Sequence, residues 1–232
     1  YTFAWSSGAG MGSVIPGQTV STLPNRGGGL YTATVTNNRL GCVSAPVTGE
    51  VLNQTVLPVV TITPTPSTNC TGIGNGSLSA LAAAAGAATF SYTFFSGNTA
   101  TGAPLTSSNG LAGSLAGGLN YTIVTRNNLT GCETTITQAL GDSKTNPVLT
   151  LSVSPNSICD GSLGFNGSVS QNTLTDVNAL GGDTYTFAWS SGAGMGSVIA
   201  GQTGSTLPGR NGGLYTATVT NNRLGCESAP VT

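Results

Sequence analysis

Residues 1–48 read YTFAWSSGAGMGSVIPGQTVSTLPNRGGGLYTATVTNNRLGCVSAPVT, and residues 185–232 repeat this stretch at an offset of 184 (185 − 1). Only five of the 48 positions differ between the two copies: Pro16/Ala200, Val20/Gly204, Asn25/Gly209, Gly27/Asn211 and Val43/Glu227. Independent convergence on one fold would preserve only a pattern of apolar positions, so near-identity through the loops indicates duplication. A fixed long period predicts an array of modules.

A weaker copy lies between the two. Residues 119–132, LNYTIVTRNNLTGC, align with residues 213–226, GLYTATVTNNRLGC, at an offset of 94 (226 − 132), while Cys42 to Cys132 is 90 residues. The spacing predicts modules of 90 to 94 residues, of two alternating kinds. We place the C-terminal half of one module at residues 1–58, a second module at 59–146 and a third at 147–232. We expect a window from a longer periodic protein; the alternative is that a strand from another chain completes the half-module.

Strand signals dominate each predicted module. In YTFAW at residues 1–5 and 185–189, and in FSYTF at 90–94, aromatic side chains alternate with small or polar ones. A period of two places these aromatics on one face of a strand. A second alternating run follows at residues 31–35, 121–125 and 215–219. Many short strands separated by turn residues predict an all-β fold of tandem immunoglobulin-like antiparallel β-sandwich modules of about 90 residues, with one disulfide each.

Asparagine pairs and glycine-rich stretches supply the predicted turns. The pairs 37–38, 127–128 and 221–222 follow the second strand of each module. Because Asn tolerates left-handed backbone dihedrals, we predict hairpin turns there, leading into a Cys-bearing segment. The loops at 8–12 and 192–196, GAGMG, superficially resemble phosphate-binding loops. No Lys follows them and no strand–helix unit surrounds them, so we interpret them as turns.

The five cysteines fall into two contexts. Cys70 and Cys159 lie near predicted module starts, whereas Cys42, Cys132 and Cys226 lie near module ends, each after a Gly. Pairing a start with an end inside each module predicts the disulfides Cys70–Cys132 and Cys159–Cys226. Cys42 would be unpaired in this window, with its partner before residue 1. Disulfides persist in oxidising compartments, so this framework predicts an extracellular or cell-surface location.

Charged residues are scarce. The chain has six Lys and Arg, seven Asp and Glu, and no His, whereas about a quarter of the residues in a typical domain are charged. No basic face for nucleic acid and no polybasic patch for anionic lipid is expected. The longest apolar run, residues 80–88, has nine residues. That is far short of the roughly 20 needed to cross a bilayer, so it predicts a strand or short helix and no membrane insertion.

Catalytic and metal chemistry have few residues to use. Without His, the usual general base near neutral pH is missing, so we predict no enzyme activity and no catalytic residues, with a hydrolase as the weakest hypothesis. No CxxC motif occurs either, and we predict no metal site and no cofactor. A calcium site from Asp160, Asp176 and Asp183 is the alternative to solvated loop carboxylates, which we favour.

Trp5 and Trp189 occupy matching positions in the two copies and allow two interpretations. As core residues they would anchor the sandwich. As an exposed aromatic platform they could stack on a sugar ring, which is typical of carbohydrate-binding modules. We favour the core.

The order of motifs resembles a known repeat. Asp160-Gly161 follows Cys159, and after it come the run Tyr185-x-Phe187-x-Trp189-Ser190, then Leu207, the run from Gly213 to Asn221 and Gly225-Cys226. Together these resemble the SprB-type repeat of very large surface adhesins of Bacteroidetes, including the gliding-motility adhesin. The match covers the third module and the first half-module. The middle module keeps Cys70, Gly72, Tyr121 and Gly131-Cys132 but lacks the Trp. The resemblance implies a surface adhesin or filament, exported by the type IX route.

Two functions follow as hypotheses. The first is a structural segment of a long extracellular adhesin or filament, whose partners are neighbouring modules, other copies of the chain, and surface glycans or substrata. Length is added to such an array by duplication, because each module contacts only its neighbours. The alternative is an array of carbohydrate-binding modules.

Overall fold

The computed structural model describes residues 1–83 and 89–232. Within these ranges the regular structure is almost entirely antiparallel β-strand, with one short 3₁₀ helix at Gly161–Leu163. The predicted all-β class is therefore confirmed. The chain divides into two compact units, Tyr1–Val56 and Leu57–Thr232.

The first unit is one four-stranded sheet in the order β2-β1-β3-β4. The predicted aromatic strand pairs with the predicted Tyr-Thr strand in antiparallel register, with Trp5 opposite Ala33. One face of this sheet carries Phe3, Trp5, Ala33 and Val35, and all four side chains remain part-exposed. The strands are β1 (Thr2–Ser7), β2 (Val14–Ile15), β3 (Gly29–Thr36) and β4 (Val47–Val51).

The second unit begins with two sheets that enclose one hydrophobic core. The sheet β5-β6-β9-β8 faces the sheet β11-β10-β7. Leu78 from the first sheet and Phe94 and Ile123 from the second are almost fully buried between them. The strands are β5 (Val59–Thr65), β6 (Gly76–Ala83), β7 (Phe90–Ser96), β8 (Ser107–Ser108), β9 (Leu111–Leu115), β10 (Asn120–Asn127) and β11 (Glu133–Ala139).

The rest of the second unit forms a further pair of sheets around a separate core. The sheet β12-β13-β15 faces the two-stranded sheet β14-β16. Val169 and Leu207 meet Phe187, Trp189 and Val219 in this core. The strands are β12 (Val148–Ser154), β13 (Gly167–Thr175), β14 (Tyr185–Ser191), β15 (Thr206–Arg210) and β16 (Tyr215–Asn221).

The two cores of the second unit are built from separate parts of the chain. The last residue of the first core is Leu140 and the first residue of the next is Leu149, so the boundary expected near Pro147 lies between them. Division of residues 57–232 into two immunoglobulin-like modules of about 90 residues stays a prediction. The alanine run forms the end of β6, where Leu78, Ala80 and Ala82 point inward, while residues 84–88 lie outside the described residues.

The predicted hairpin turns after the Asn pairs are present, but their backbone differs from the expectation. The left-handed residue is the Gly before each Cys: Gly41, Gly131 and Gly225 have φ of 70°, 75° and 66°. The Asn residues are not left-handed. Their side chains instead accept hydrogen bonds from the turn, a role that short amide side chains favour.

Candidate functional site: a disulfide-clamped junction

The last turn of the second unit, residues 221–226, is held by the side chain of Asn221. Its Oδ1 accepts hydrogen bonds from the backbone N–H groups of Arg223 and Leu224 at 3.0 and 3.1 Å. The backbone closes the same turn, because the N–H of Gly225 donates to the Asn221 carbonyl at 2.8 Å. We call this six-residue unit an Asn–Cys turn, since it begins with Asn and ends with Cys226.

A loop at residues 67–75 is held in a similar way by Asn75. The Asn75 Oδ1 accepts hydrogen bonds from the backbone N–H of Thr68 at 2.7 Å and of Asn69 at 3.2 Å. Its amide nitrogen donates to the Thr68 hydroxyl at 2.9 Å. The loop carries Cys70, and we call it a Cys loop.

The Cys loop and the Asn–Cys turn are joined covalently. Cys70 and Cys226 form a disulfide with Cα atoms 4.9 Å apart and a sequence separation of 156 residues. Beside it, the Cys70 N–H donates to the Leu224 carbonyl at 2.9 Å. A Cβ atom added to Gly225 would collide with Thr71, so the contact is as close as a glycine allows. Leu224 and Cys226 are buried there, at 1% and 0% exposure.

This disulfide replaces both predicted pairings, Cys70–Cys132 and Cys159–Cys226. The Cys loop lies at one end of β11, where the Ser67 N–H donates to the Gly141 carbonyl at 3.0 Å. Cys132 precedes the other end of the same seven-residue strand, about 23 Å away at the usual rise per residue. Bonded cysteines need Cα atoms within about 7 Å. Cys226, being bonded to Cys70, has no sulfur left for Cys159.

The remaining cysteines have free thiols. Cys42 and Cys159 are exposed, and Cys132 is half-buried. The expected pairings Cys70–Cys132 and Cys159–Cys226, each within one predicted module, are therefore wrong.

The loop that carries Asp176 and Asp183, which we call the acidic loop, is hydrogen-bonded to the Asn–Cys turn. Both Asp176 and Asp183 accept hydrogen bonds from the Asn221 amide nitrogen, at 2.7 and 3.0 Å. Arg223 donates to Asp183 through Nε at 2.6 Å and through Nη2 at 2.9 Å. These bonds hold the pKa of the Asp183 carboxyl well below its usual range, mainly through Arg223. Burial, together with the charge of Asp176, raises the pKa of the Tyr185 phenol, whose hydroxyl donates to Asp176 at 3.2 Å.

The same acidic loop also holds the segment between the two cores. The Asn178 amide nitrogen donates to the Ser143 carbonyl at 2.9 Å and to the Thr145 hydroxyl at 2.7 Å. Arg223 Nη2 in turn donates to the Asn178 carbonyl at 2.8 Å. The disulfide therefore joins the two sandwiches of the second unit, the Asn178 amide holds the segment between them, and the Arg223–Asp183 ion pair fixes the acidic loop to the Asn–Cys turn at the same junction.

The structure separates the three carboxylates considered for calcium. Asp160 accepts from the Ser162 N–H at 2.9 Å and caps the 3₁₀ helix, apart from the loop that carries Asp176 and Asp183. Solvation is the wrong description of Asp183, whose side chain is 5% exposed. Within residues 1–83 and 89–232, no group of three or more His, Cys, Asp or Glu side chains is arranged to hold a metal ion.

The two tryptophans lie in different surroundings. Trp189 is fully buried and stacks on Phe187 with ring centroids 6.2 Å apart, as expected of a core residue. Trp5 is part-exposed and borders an open depression of about 440 Å³ together with Leu23, Tyr31 and Val47. The aromatic platform can therefore involve only Trp5.

The glycine-rich loops are turns bound to a neighbouring strand. The Gly10 N–H donates to the Thr32 hydroxyl at 2.8 Å, and that hydroxyl donates to the Gly8 carbonyl at 2.8 Å. The second copy repeats this arrangement with Gly194, Gly192 and Thr216. Backbone N–H and carbonyl groups of these loops are thus hydrogen-bonded to a threonine of the same protein, which supports their interpretation as turns.

Comparison of the sequence with protein-family models and with curated proteins gives no match. In the part of the chain that the structure describes, no helix has the length and apolar character needed to cross a membrane.

Proposed function

We propose that this chain is a structural segment of a long extracellular surface protein, an adhesin or filament, built from tandem immunoglobulin-like modules of about 90 residues. The resemblance of its motifs to the SprB-type repeat and the near-identity of residues 1–48 and 185–232 support the proposal. The role is mechanical, and no catalytic residue is assigned.

The Cys70–Cys226 disulfide is the observation that carries this proposal. When the chain is pulled from its ends, tension passes from residue 70 to residue 226 through the S–S bond. The buried residues of both sandwich cores lie between these cysteines and are bypassed by the load, whereas β5 and Val231, which pack against the cores, lie outside the ring that the disulfide closes. Unfolding inside this ring could not lengthen the chain while the disulfide remains. Such a bond persists outside the cell, where the environment is oxidising.

Single-molecule force spectroscopy on the full chain, held by its two ends, tests this role. Under oxidising conditions only residues outside the closed ring should extend. Reduction should release a further contour length of about 530 Å, from 156 residues at roughly 3.4 Å each. The C226S variant should show the long extension without reductant, and C42S should behave as the parent chain. Equal extension before and after reduction would contradict the mechanical role.

Location is tested separately. Antibodies raised against the chain should label intact cells of the source organism without permeabilisation. Labelling only after permeabilisation would contradict the surface assignment while leaving the force measurement untouched.

The depression beside Trp5 favours carbohydrate binding as the second candidate. Its lining combines an indole, the Tyr31 ring and aliphatic side chains, and aromatic rings can stack on the apolar face of a sugar. Titration of the chain with a glycan panel should then quench Trp5 fluorescence in the parent chain and in W189F, but not in W5F. Failure of every glycan to change the fluorescence would remove this candidate.

A further inference from the structure

Among the residues that the structure describes, the Asn–Cys turn occurs three times with the same hydrogen bonds. In residues 37–42 the Asn37 Oδ1 accepts from the N–H groups of residues 39 and 40, and in residues 127–132 the Asn127 Oδ1 accepts from those of residues 129 and 130. In each turn the first N–H donates to the Cys carbonyl at 2.9 Å. The backbone of all three turns is therefore held in the same shape, which is the shape that the Cys loop covers at residues 221–226.

The Cys loop occurs twice. In residues 156–166, the Asn166 Oδ1 accepts from the Ser157 N–H at 2.9 Å, and its amide nitrogen donates to the Ser157 hydroxyl at 2.9 Å. Asn75 makes the same pair of bonds to Thr68. Cys159 thus occupies the place of Cys70, and Asp160 occupies the place of Thr71.

Only one turn is covered by a loop. Leu224 of the covered turn is 1% exposed, whereas Leu40 is 61% exposed and Thr130 is exposed at the same place in the other two turns. Their cysteines carry free thiols, as does Cys159 in the second loop. The chain therefore contains unoccupied copies of both halves of a contact that it forms elsewhere.

Charge selects which free turn fits the free loop. In the occupied contact, Thr71 lies against Gly225, so Asp160 would lie against the corresponding Gly of its partner turn. The Arg126 guanidinium is 3.5 Å from a Cβ position on Gly131 and is exposed, in contact with Glu133. In the turn at residues 37–42, the position corresponding to Arg126 is Thr36. On the turn that ends at Cys132, an Asp160 carboxylate would therefore lie beside Arg126, whereas no cation occupies that place beside Gly41.

We propose that the Cys loop of one copy, residues 156–166, docks on the Asn–Cys turn of a second copy, residues 127–132, and that a Cys132–Cys159 disulfide seals this contact. Because the loop of each copy binds a different surface, the turn at residues 127–132, on the next copy, the contact is head-to-tail and generates rings or linear chains. The surface is independent of any adhesive or glycan-binding role.

The covalent step needs a disulfide oxidant, for which oxidised glutathione serves. One protein thiolate attacks glutathione disulfide and releases one glutathione thiol, forming a mixed disulfide. The second protein thiolate displaces the remaining glutathione. Two thiols are oxidised and one glutathione disulfide is reduced to two thiols.

Isotope mixing tests the proposal. Equal amounts of ¹⁴N- and ¹⁵N-labelled full chain, with the Cys70–Cys226 bond intact, are incubated in a glutathione redox buffer and digested without reduction. We expect a Cys132–Cys159 peptide pair of which about half joins a light to a heavy chain, together with an oligomer ladder on a non-reducing gel. C42S should retain the ladder, whereas C132S and C159S should lose it.

Three outcomes would overturn the proposal. They are a chain that stays monomeric with free thiols, a Cys132–Cys159 pair with no mixed isotopes, and a mixture in which Cys42 is crosslinked as often as Cys132. Each result is distinct from failure of the force or labelling experiments, because the buffer and the readout are different.

Matched variants separate docking from random collision of thiols. R126Q should slow formation of the mixed-isotope pair roughly two- to fivefold, because its guanidinium faces the Asp160 carboxylate on docking, whereas R39Q should leave the rate unchanged. D160N should slow it roughly two- to fivefold, with less dependence on salt than the parent chain. Equal rates for R126Q and R39Q would show that no docking precedes the bond.

Discussion

Trp5 and Trp189 make the same hydrogen bond in different surroundings. Each indole N–H donates at 2.9 Å to the carbonyl of the residue fifteen positions later, Val20 or Gly204. Trp189 is fully buried under the sheet β12-β13-β15, while Trp5 remains part-exposed. Two nearly identical stretches thus serve as internal controls for each other, one with a covering sheet and one without.

The tryptophan pair gives the first prediction. W189A should lower the free energy of unfolding of the second unit by about 3–5 kcal/mol, because it leaves a large cavity in a closed core. W5A should cost the first unit clearly less, since solvent already reaches that ring. Urea unfolding, followed separately for each unit by hydrogen exchange, measures both losses. Equal losses of unfolding free energy in W189A and W5A would mean that burial of the indole does not determine its contribution to stability.

The second prediction concerns the glycine of the Asn–Cys turn. G41A and G131A should each cost about 1–2 kcal/mol, because an L-residue is strained at the left-handed φ. G225A should cost more, since its Cβ would also collide with Thr71. It should in addition slow formation of the Cys70–Cys226 bond during oxidative refolding. The measurements are chemical denaturation and the count of free thiols against time; identical behaviour of G225A and G131A would contradict a close junction.

The third prediction concerns pH. The pKa of Asp183 is lowered in the folded state from its ordinary 3.8, chiefly by Arg223. Its ionised form therefore stabilises the fold at pH values above that ordinary pKa, and this stability is lost progressively as the pH falls below about 4. Unfolding of the second unit measured between pH 2 and 7 should show this decline. D183N, which keeps the shape but cannot ionise, should show a smaller slope over the same range; an unchanged slope would assign the decline to other carboxyls.

The fourth prediction concerns the disulfide itself. C226S should destabilise the second unit by about 5 kcal/mol in the chain-entropy model, because the closed loop spans 156 residues. C132S and C159S should leave the stability of the parent chain unchanged, since both thiols are free. Thermal unfolding under non-reducing conditions compares the three variants. A similar loss in all of them would contradict the assigned pairing.

The sequence predicted the strands well because their signals are local. The alternation Tyr185, Phe187, Trp189 specifies which side of β14 meets the core, and these residues do line it. The Asn and Gly residues around each Cys also predicted the hairpin turns correctly, although the left-handed position belongs to Gly and the Asn acts through its side chain.

The cysteine pairing could not be obtained from local signals. A start cysteine followed by an end cysteine fits pairing within a module and pairing across modules equally well in sequence. The decision depends on β11, whose length separates Cys132 from the loop that holds Cys70. The junction did leave one trace in the sequence: Asp176 and Asp183 precede the turn that contains Arg223, whereas the corresponding stretch of sequence between Ala83 and Phe90 has no acidic residue.

The bond between Cys70 and Cys226 closes 157 consecutive residues, 70 to 226 inclusive (156 + 1), into a covalent ring. A protease that cuts the backbone once anywhere inside this ring leaves the two ends of the protein connected. Further cuts inside the ring do not separate the ends either, because the path through the two sulfur atoms stays intact until the disulfide is reduced. A single bond therefore gives the chain tolerance to nicks over most of its length.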